Sequence, residues 1–483
     1  MSGVDLDFAS TDVPTTAPSV TSLQHAQASL VTTLPEHGIG FENIKNHILK
    51  DIAVGFTGAN RSPNLYAGNT TGHVGDAALF ADWLASTTDQ NVQVHLPRET
   101  VATTLEATTL RLLQQLLSID ENAFLGRIFT TGAAASNILG IAMGREFVIA
   151  EAGRRNSPQS RTSVAELGLL EACLQAGVQS MQIITTRPHS SLYKAASVAG
   201  LGRDSVVLVP LSEDEPWKFD MDALTQYLSR EDTKSIIVVG AAEAESGRFV
   251  THAVQMAGIR SLADKYGAWV HVDGAAGLQA LILPHTKEYS AFNDGVSGLH
   301  LADSIAGDGH EMLNVPYDCG FFFTRHLELQ QTVFRNAGAA YLSTATLSIP
   351  SPLNLGLENS RRFRALPVYA SLLAYGRSWY CTLLERQIGL ARRVASYISN
   401  STAYELIPNN DLDTIYTMVL FHARSDSLTK LVSLLNPSKQ IHISGLLWKG
   451  QAAARITVGS SHVEVDRDFD IIVNALEAAS ITA

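Results

Sequence analysis

The chain has 483 residues, 46% of them hydrophobic and 17% charged, which predicts a compact protein with one large core and a smaller companion. Its 35 Lys and Arg against 47 Asp and Glu leave a net charge of −12 and a pI near 5.7. That balance argues against nucleic acid or an anionic membrane as partner, since both need clustered cations, and leaves a small molecule as the expected ligand. Cys173, Cys319 and Cys381 show no CxxC spacing, so neither a disulfide framework nor a metal site is expected. The opening stretch MSGVDLDFASTDVPTTAPSV carries acidic residues where a signal peptide needs positive charge. No run approaches the roughly 20 apolar residues of a membrane span, and the expected location is the cytoplasm.

Residues 1–35, rich in Ser, Thr and Pro, read as an arm with a first helix near Ser22–Leu30. Helical patterns follow at Phe41–Ile52, Val74–Ala85 and Thr103–Ile119, the last placing Leu105, Leu112, Leu113 and Leu116 on one face for core packing. From Gly126 short β-branched runs alternate with helical segments. Strands are expected at Glu146–Ala150, Met181–Thr185, Ser205–Pro210, Ser235–Val239, Ala268–Val272 and Gly320–Thr324, with helices at Ser163–Ala176, Met221–Ser229 and Ala253–Tyr266. Strands apolar throughout belong in a sheet covered on both faces, so this region reads as a mostly parallel α/β sandwich. A long helix then runs to about Asn400, followed by strand Thr414–Phe421, helix Ser427–Leu435, strands Gln440–Leu446 and Ala454–Val458, and helix Asp468–Ala478. That mixture suits a small α+β domain. The domain reading is 1–100 for the arm and helical segment, 101–365 for the large α/β domain and 366–483 for the small one.

Five segments carry chemistry. FTTGAAASN (Phe129–Asn137) puts a glycine-containing turn, Gly132-Ala133-Ala134, at a helix start, where free backbone N–H groups suit a phosphate. Pro188-His189-Ser190-Ser191 follows a strand; a lone histidine there is more often a structural hydrogen-bonder. HVDGAAG (His271–Gly277) sets Asp273 at a strand's C-terminal end, where open α/β sheets bind ligands. LADSIAGDGHEMLNVPYDCGFFFTR (301–325) centres on His310-Glu311, and the loop Asn336–Asn354 holds Tyr341 among small residues.

Taken together, and with SRRFRALPVYASLLAYG (Ser360–Gly376) opening the long helix, these segments resemble the group II pyridoxal-phosphate (PLP) decarboxylases, of the aromatic-L-amino-acid and tyrosine decarboxylase type, over roughly residues 60–380. The resemblance implies PLP fold type I, aspartate aminotransferase-like: a large, mostly parallel sheet domain plus a small C-terminal α+β domain. It also implies a homodimer clasped by N-terminal helices. By the same resemblance the Gly132–Ala134 turn corresponds to the phosphate seat and His189 to the residue stacked on the pyridine ring. Asp273 corresponds to the partner of the pyridine nitrogen, His310 to the histidine before the Schiff-base lysine, and Tyr341 to a lid tyrosine that protonates the carbanion.

Three departures fall at the inferred cofactor cavity. Ala134 stands where the family carries a hydroxyl, Ala276 where many relatives carry an aromatic ring, and Glu311 where the family has its lysine. A carboxylate cannot condense with an aldehyde. The expectation is therefore a decarboxylase-fold enzyme that has lost covalent PLP use, with no cofactor, performing acid–base chemistry such as dehydration, condensation or cyclisation on a small metabolite. Glu311, Asp273, His189, His310 and Tyr341 are its candidate catalytic groups. One alternative keeps PLP or pyridoxamine phosphate bound noncovalently at Gly132, Ala133, Ala134, His189 and Asp273. The other is a non-catalytic, decarboxylase-derived binding or partner protein.

Overall fold

The computed structural model describes residues 18–57, 74–337, 349–425, 431–436 and 441–482. Its centre is a seven-stranded sheet of β1 (Gly126–Thr130), β2 (Ser180–Thr185), β3 (Val206–Leu208), β4 (Thr233–Gly240), β5 (Trp269–Asp273), β6 (Ser304–Asp308) and β7 (Gly320–Thr324), in the order β1-β7-β6-β5-β4-β2-β3. From β6 to β3 every neighbouring pair is parallel, while β7 runs against both β6 and β1. Ile236, Ile237, Val238 and Val239 of β4 are all buried, because side chains of both parities meet covering helices. The fold class expected from the sequence is the one observed.

The segment expected as strand Glu146–Ala150 is instead the middle of a helix, Ala133–Asn156. Its short β-branched run packs Val148 and Ile149 into the core beside Ile183, Ile236 and Trp269, so tertiary packing overrides the local strand preference. This helix is long and apolar enough to cross a membrane by length and composition alone, and most of it is buried inside the protein. The expected helix Ser163–Ala176 breaks at Gly168 (φ 79°) into Val164–Leu167 and Leu169–Ala176. Two strands, β1 and β6, were not anticipated.

The N-terminal helices Asp76–Thr88 and Ala102–Leu116 pack on the large core through Ala78, Ala85, Leu110, Leu113 and Leu116, with Leu105 and Leu112 half-buried against it. The Ser360–Gly376 segment ties them to the sheet. Arg361 is buried and donates to Glu106 Oε1 (2.9 Å), to the Val92 carbonyl (3.2 Å) and to the Phe129 carbonyl at the end of β1 (2.9 Å). The helix Ala365–Ser399 then runs across the molecule with one break at Gly376 (φ 68°, ψ 173°).

A second, four-stranded antiparallel sheet follows: β8 (Tyr404–Ile407), β9 (Met418–Ala423), β10 (Ser444–Trp448) and β11 (Gln451–Thr457), in the order β10-β11-β9-β8. The expected strand Thr414–Phe421 starts later, because Leu412–Thr414 forms a 3-10 turn, and β8 was not anticipated. Helices Leu431–Leu435 and Val465–Thr482 complete this unit, whose core unites Phe421, Ile456 and Leu476 with Leu390 and Val394 of the long helix.

One close approach fixes the site end of the sheet. A Cβ at Gly320 would lie 2.5 Å from the Gly132 backbone, so β7 touches the turn that opens the Ala133–Asn156 helix. Neither backbone can yield easily. Gly320→Ala should therefore cost about 1–3 kcal/mol through overpacking, read as a lower urea midpoint with an unchanged slope.

Candidate active site

A cavity of about 390 Å³ lies beyond the C-terminal ends of the parallel strands, where such sheets bind ligands. The ends of β1, β2, β4, β5 and β6 contribute Gly132–Ala134, Thr186–His189, Ala242, Asp273 and Asp308, and the small sheet closes it with Met418 and Arg455. His310 and Glu311 come from the turn after β6. The sequence-predicted residues Gly132, Ala133, Ala134, His189, Asp273, His310 and Glu311 thus meet around one space, and the three departures Ala134, Ala276 and Glu311 share its wall. Tyr341 lies outside the described residues.

Asp308 organises the turn. Its Oδ2 accepts from Ala133 N (3.2 Å), its Oδ1 from Glu311 N (3.4 Å), and His310 Nδ1 lies 3.0 Å from Oδ1. Burial works against a charged imidazole at His310, yet the hydrogen bond and charge of Asp308 outweigh it and hold the ring's pKa above its ordinary value. Tyr317 packs on that ring at 4.4 Å.

Asp273 is reached through a buried chain of donors. Trp269 Nε1 donates to Ser304 Oγ (3.2 Å), which lies 2.7 Å from His271 Nδ1. His271 Nε2 lies 3.0 Å from Asn137 Oδ1, and Asn137 Nδ2 donates to Asp273 Oδ2 at 2.9 Å. This order requires a neutral His271 with its proton on Nε2, consistent with burial pushing its pKa down to about 3. Burial also raises the Asp273 carboxyl, a shift that Asn137, the Ala275 N–H and the charge of His189 only partly oppose.

Glu311 stands apart. More than a third of its own surface is accessible, but that surface faces the cavity, whose walls enclose it. Desolvation first, then the neighbouring Asp308 and Asp273 carboxylates, push its pKa up to about 7, against weaker pulls from His310 and Arg455. A group in that state is both a usable acid and a usable base at neutral pH. Asp308, His310 and Glu311 also present donor atoms within 4.8 Å of one another, a set that metal chemistry accepts. Both Asp308 oxygens are already engaged.

Sequence reasoning missed two wall residues, Arg187 and Arg455, and one buried residue behind the wall, Asn137. Arg187 pairs with Glu245 and, at 3.3 Å, with Glu243, and stacks over Trp448 at 4.3 Å. Arg455 donates to the Ala244 carbonyl at 2.7 Å. Asn137 holds Asp273. Arg187 lies two residues before His189 and was findable, whereas nothing local marks Arg455, which reaches the site only through the small sheet.

The chain matches the family model described as the pyridoxal-dependent decarboxylase conserved domain over residues 24–424, and it belongs to that family. It is 28% identical over 336 residues to an L-2,4-diaminobutyrate decarboxylase of Acinetobacter baumannii, covering 68% of this chain and 61% of that protein. It is 24% identical over 435 residues to a glutamate decarboxylase-like protein of Gibberella zeae, covering 82% and 77%. In fold it resembles Oryza sativa TDC with PLP and tryptamine (TM-score 0.78, 17% identity, 96% and 93% of the two chains) and Catharanthus roseus tryptophan decarboxylase in complex with L-tryptophan (0.76, 17%, 97% and 94%).

The described cavity wall holds no lysine for covalent attachment of PLP. At the helix start, where a phosphate would sit, the Ala133 N–H already serves the Asp308 carboxylate, with Glu311 beside it. The wall does not fit the family's covalent use of the group.

Asn137→Ala should leave Asp273 and His271 each short of a partner. The expected loss is about 2–6 kcal/mol, from about 1–3 kcal/mol for each of the two unsatisfied groups, read from urea unfolding at pH 7.

Proposed function

We propose that this decarboxylase-family chain is an enzyme that works without covalent PLP, using Glu311 as a general acid–base group on a small metabolite bound in the cavity. The observation that carries this reading is the cavity-facing Glu311 carboxyl, poised near neutrality by desolvation and by two neighbouring carboxylates. In its protonated form Glu311 donates to an oxygen of the substrate. As the carboxylate it takes a proton back, so dehydration, condensation or cyclisation fits a single residue acting in both directions. Asp273, held by Asn137, and His189, at the lip, are the second titratable pair facing the same space.

Glu311→Gln should lower turnover by about 100-fold or more, on the scale of lost general acid–base catalysis, and should abolish a pH inflexion near 7. Retained turnover counts decisively against the reading. Stability supplies an independent check with a definite sign. Folded Glu311 keeps its proton to about pH 7 while the unfolded carboxyl releases it near 4.5, so its contribution is present below about 4.5 and lost as pH rises through 7. Glu311→Gln stays neutral throughout. Its stability relative to the native protein should therefore rise between pH 5 and pH 8, measured as urea midpoints.

A second reading keeps PLP or pyridoxamine phosphate noncovalently, favoured by Asp273 on the cavity wall, held from behind by Asn137. Incubation with excess PLP followed by desalting separates the two. We expect the native protein to retain far less than one equivalent and Glu311→Lys to turn yellow; stoichiometric retention by the native protein moves the assignment to the second reading.

The assembly proposed with this function is a homodimer. Phe80, Trp83 and Leu84 on the Asp76–Thr88 helix, with Phe41 and Ile44 on the helix Phe41–His47, are exposed apolar side chains of the kind an interface covers.

A further inference from the structure

We propose that the protein has a second binding site, separate from the Glu311 cavity, for a small carboxylate with an apolar body, held at its head by Arg111 and Arg127. A cavity of about 420 Å³ is walled by the Ala102–Leu116 helix, the start of β1 and the Pro350–Leu355 segment, and it shares no lining residue with the main cavity. Arg111 comes from that helix and Arg127 from β1. The inference goes beyond the acid–base reading and does not depend on it, since no residue of the main cavity enters it.

The wall has a basic side and an apolar side. Arg127 donates from Nε to the Leu125 carbonyl (3.4 Å) and from Nη2 to the Glu121 carbonyl (3.1 Å), which leaves Nη1 uncommitted. Among the described residues, Arg111, Arg127 Nη1 and the Thr104 and Thr108 hydroxyls have no hydrogen-bond partner, and none of these groups is sealed from solvent. Burial first, and then the charge of Arg111, lower the Arg127 pKa, and Glu121 only partly opposes them. Glu106 lines the same space, but the buried Arg361 takes up its carboxylate at 2.9 Å. Setting Glu121 against the two arginines leaves about one positive charge unmet, in a chain whose net charge is −12. In the main cavity, by contrast, Arg187 is already paired with Glu245 and Glu243. Leu125, Leu327, Pro350 and Pro352 form the apolar side. A benzene ring occupies a cavity of roughly 150 Å³, so this space holds a ring or a short chain together with a head group. A monocarboxylate with an apolar body satisfies both sides, and planar guanidinium groups match the two oxygens of its head.

The test is calorimetric titration of 4-phenylbutyrate and of its uncharged amide into the native protein, Arg111→Gln, Arg127→Gln and Glu311→Gln. The acid should bind the native protein about tenfold more tightly than the amide, the scale of one hydrogen bond to a charged group, and the preference should shrink as salt rises. It should disappear in Arg111→Gln and in Arg127→Gln. Arg111 is exposed and makes no internal hydrogen bond among the described residues, so Arg111→Gln should keep the native melting temperature and carries the test even where Arg127→Gln loses stability. Equal binding of acid and amide by the native protein overturns the proposal. So does a preference that survives Arg111→Gln unchanged, which would place the anion at another cation. Glu311→Gln should bind the acid as the native protein does, whatever becomes of turnover; a preference altered there would put the anion in the main cavity and sink the second site.

Discussion

The Asp308 carboxylate is the interaction on which the site depends. It joins the start of the Ala133–Asn156 helix to the His310–Glu311 turn by accepting from Ala133 N and Glu311 N, and it sets the ionisation of His310. The helix start and the turn belong to segments 175 residues apart, and only the sheet order β1-β7-β6 brings them together. Gly320, between them on β7, leaves no side chain in the way. The carboxylate also neutralises part of the positive end of a 24-residue helix, so an anion from outside meets a site already supplied with negative charge.

Around that anchor the protein separates two kinds of polar group. The chain from Trp269 through Ser304, His271 and Asn137 to Asp273 has every contact made inside the protein, which rigidifies the wall. Glu311, by contrast, has no side-chain hydrogen bond among those described, and its backbone alone is held. A group with its position fixed and its carboxyl uncommitted suits proton exchange with a ligand better than the maintenance of the fold.

The motifs read from the sequence were those whose residues sit together in the chain. Gly132-Ala133-Ala134, His189, Asp273 and His310-Glu311 are each short segments at strand or helix ends, and all converge on the cavity. The three departures Ala134, Ala276 and Glu311 were legible for the same reason. What was not legible depends on distant parts of the chain. β6 reads Ser-Ile-Ala-Gly-Asp, poor in strand formers, because a Cβ at Gly307 would lie 2.0 Å from the Phe321 ring on β7. The strand misread at Glu146–Ala150 obeyed local preference while the core demanded a helix. Arg455 and Met418 enter the site from the C-terminal third, which no local motif announces.

The charge balance around the cavity explains why Glu311 is neutral so readily. Arg187 and Arg455 are the guanidinium groups on its wall, but Arg187 is paired with Glu245 and Glu243, and the same two glutamates act on Arg455 more strongly than Glu311 does. Their positive charge is therefore largely compensated before Glu311 is counted. Asp308 and Asp273 add repulsion, and the surrounding wall atoms disfavour the ion. In a wall of this composition a cation arriving with a ligand would favour the carboxylate, and an uncharged ligand would favour the acid. Under the proposed acid–base role, the ligand's own charge would select which half of the proton exchange Glu311 begins with.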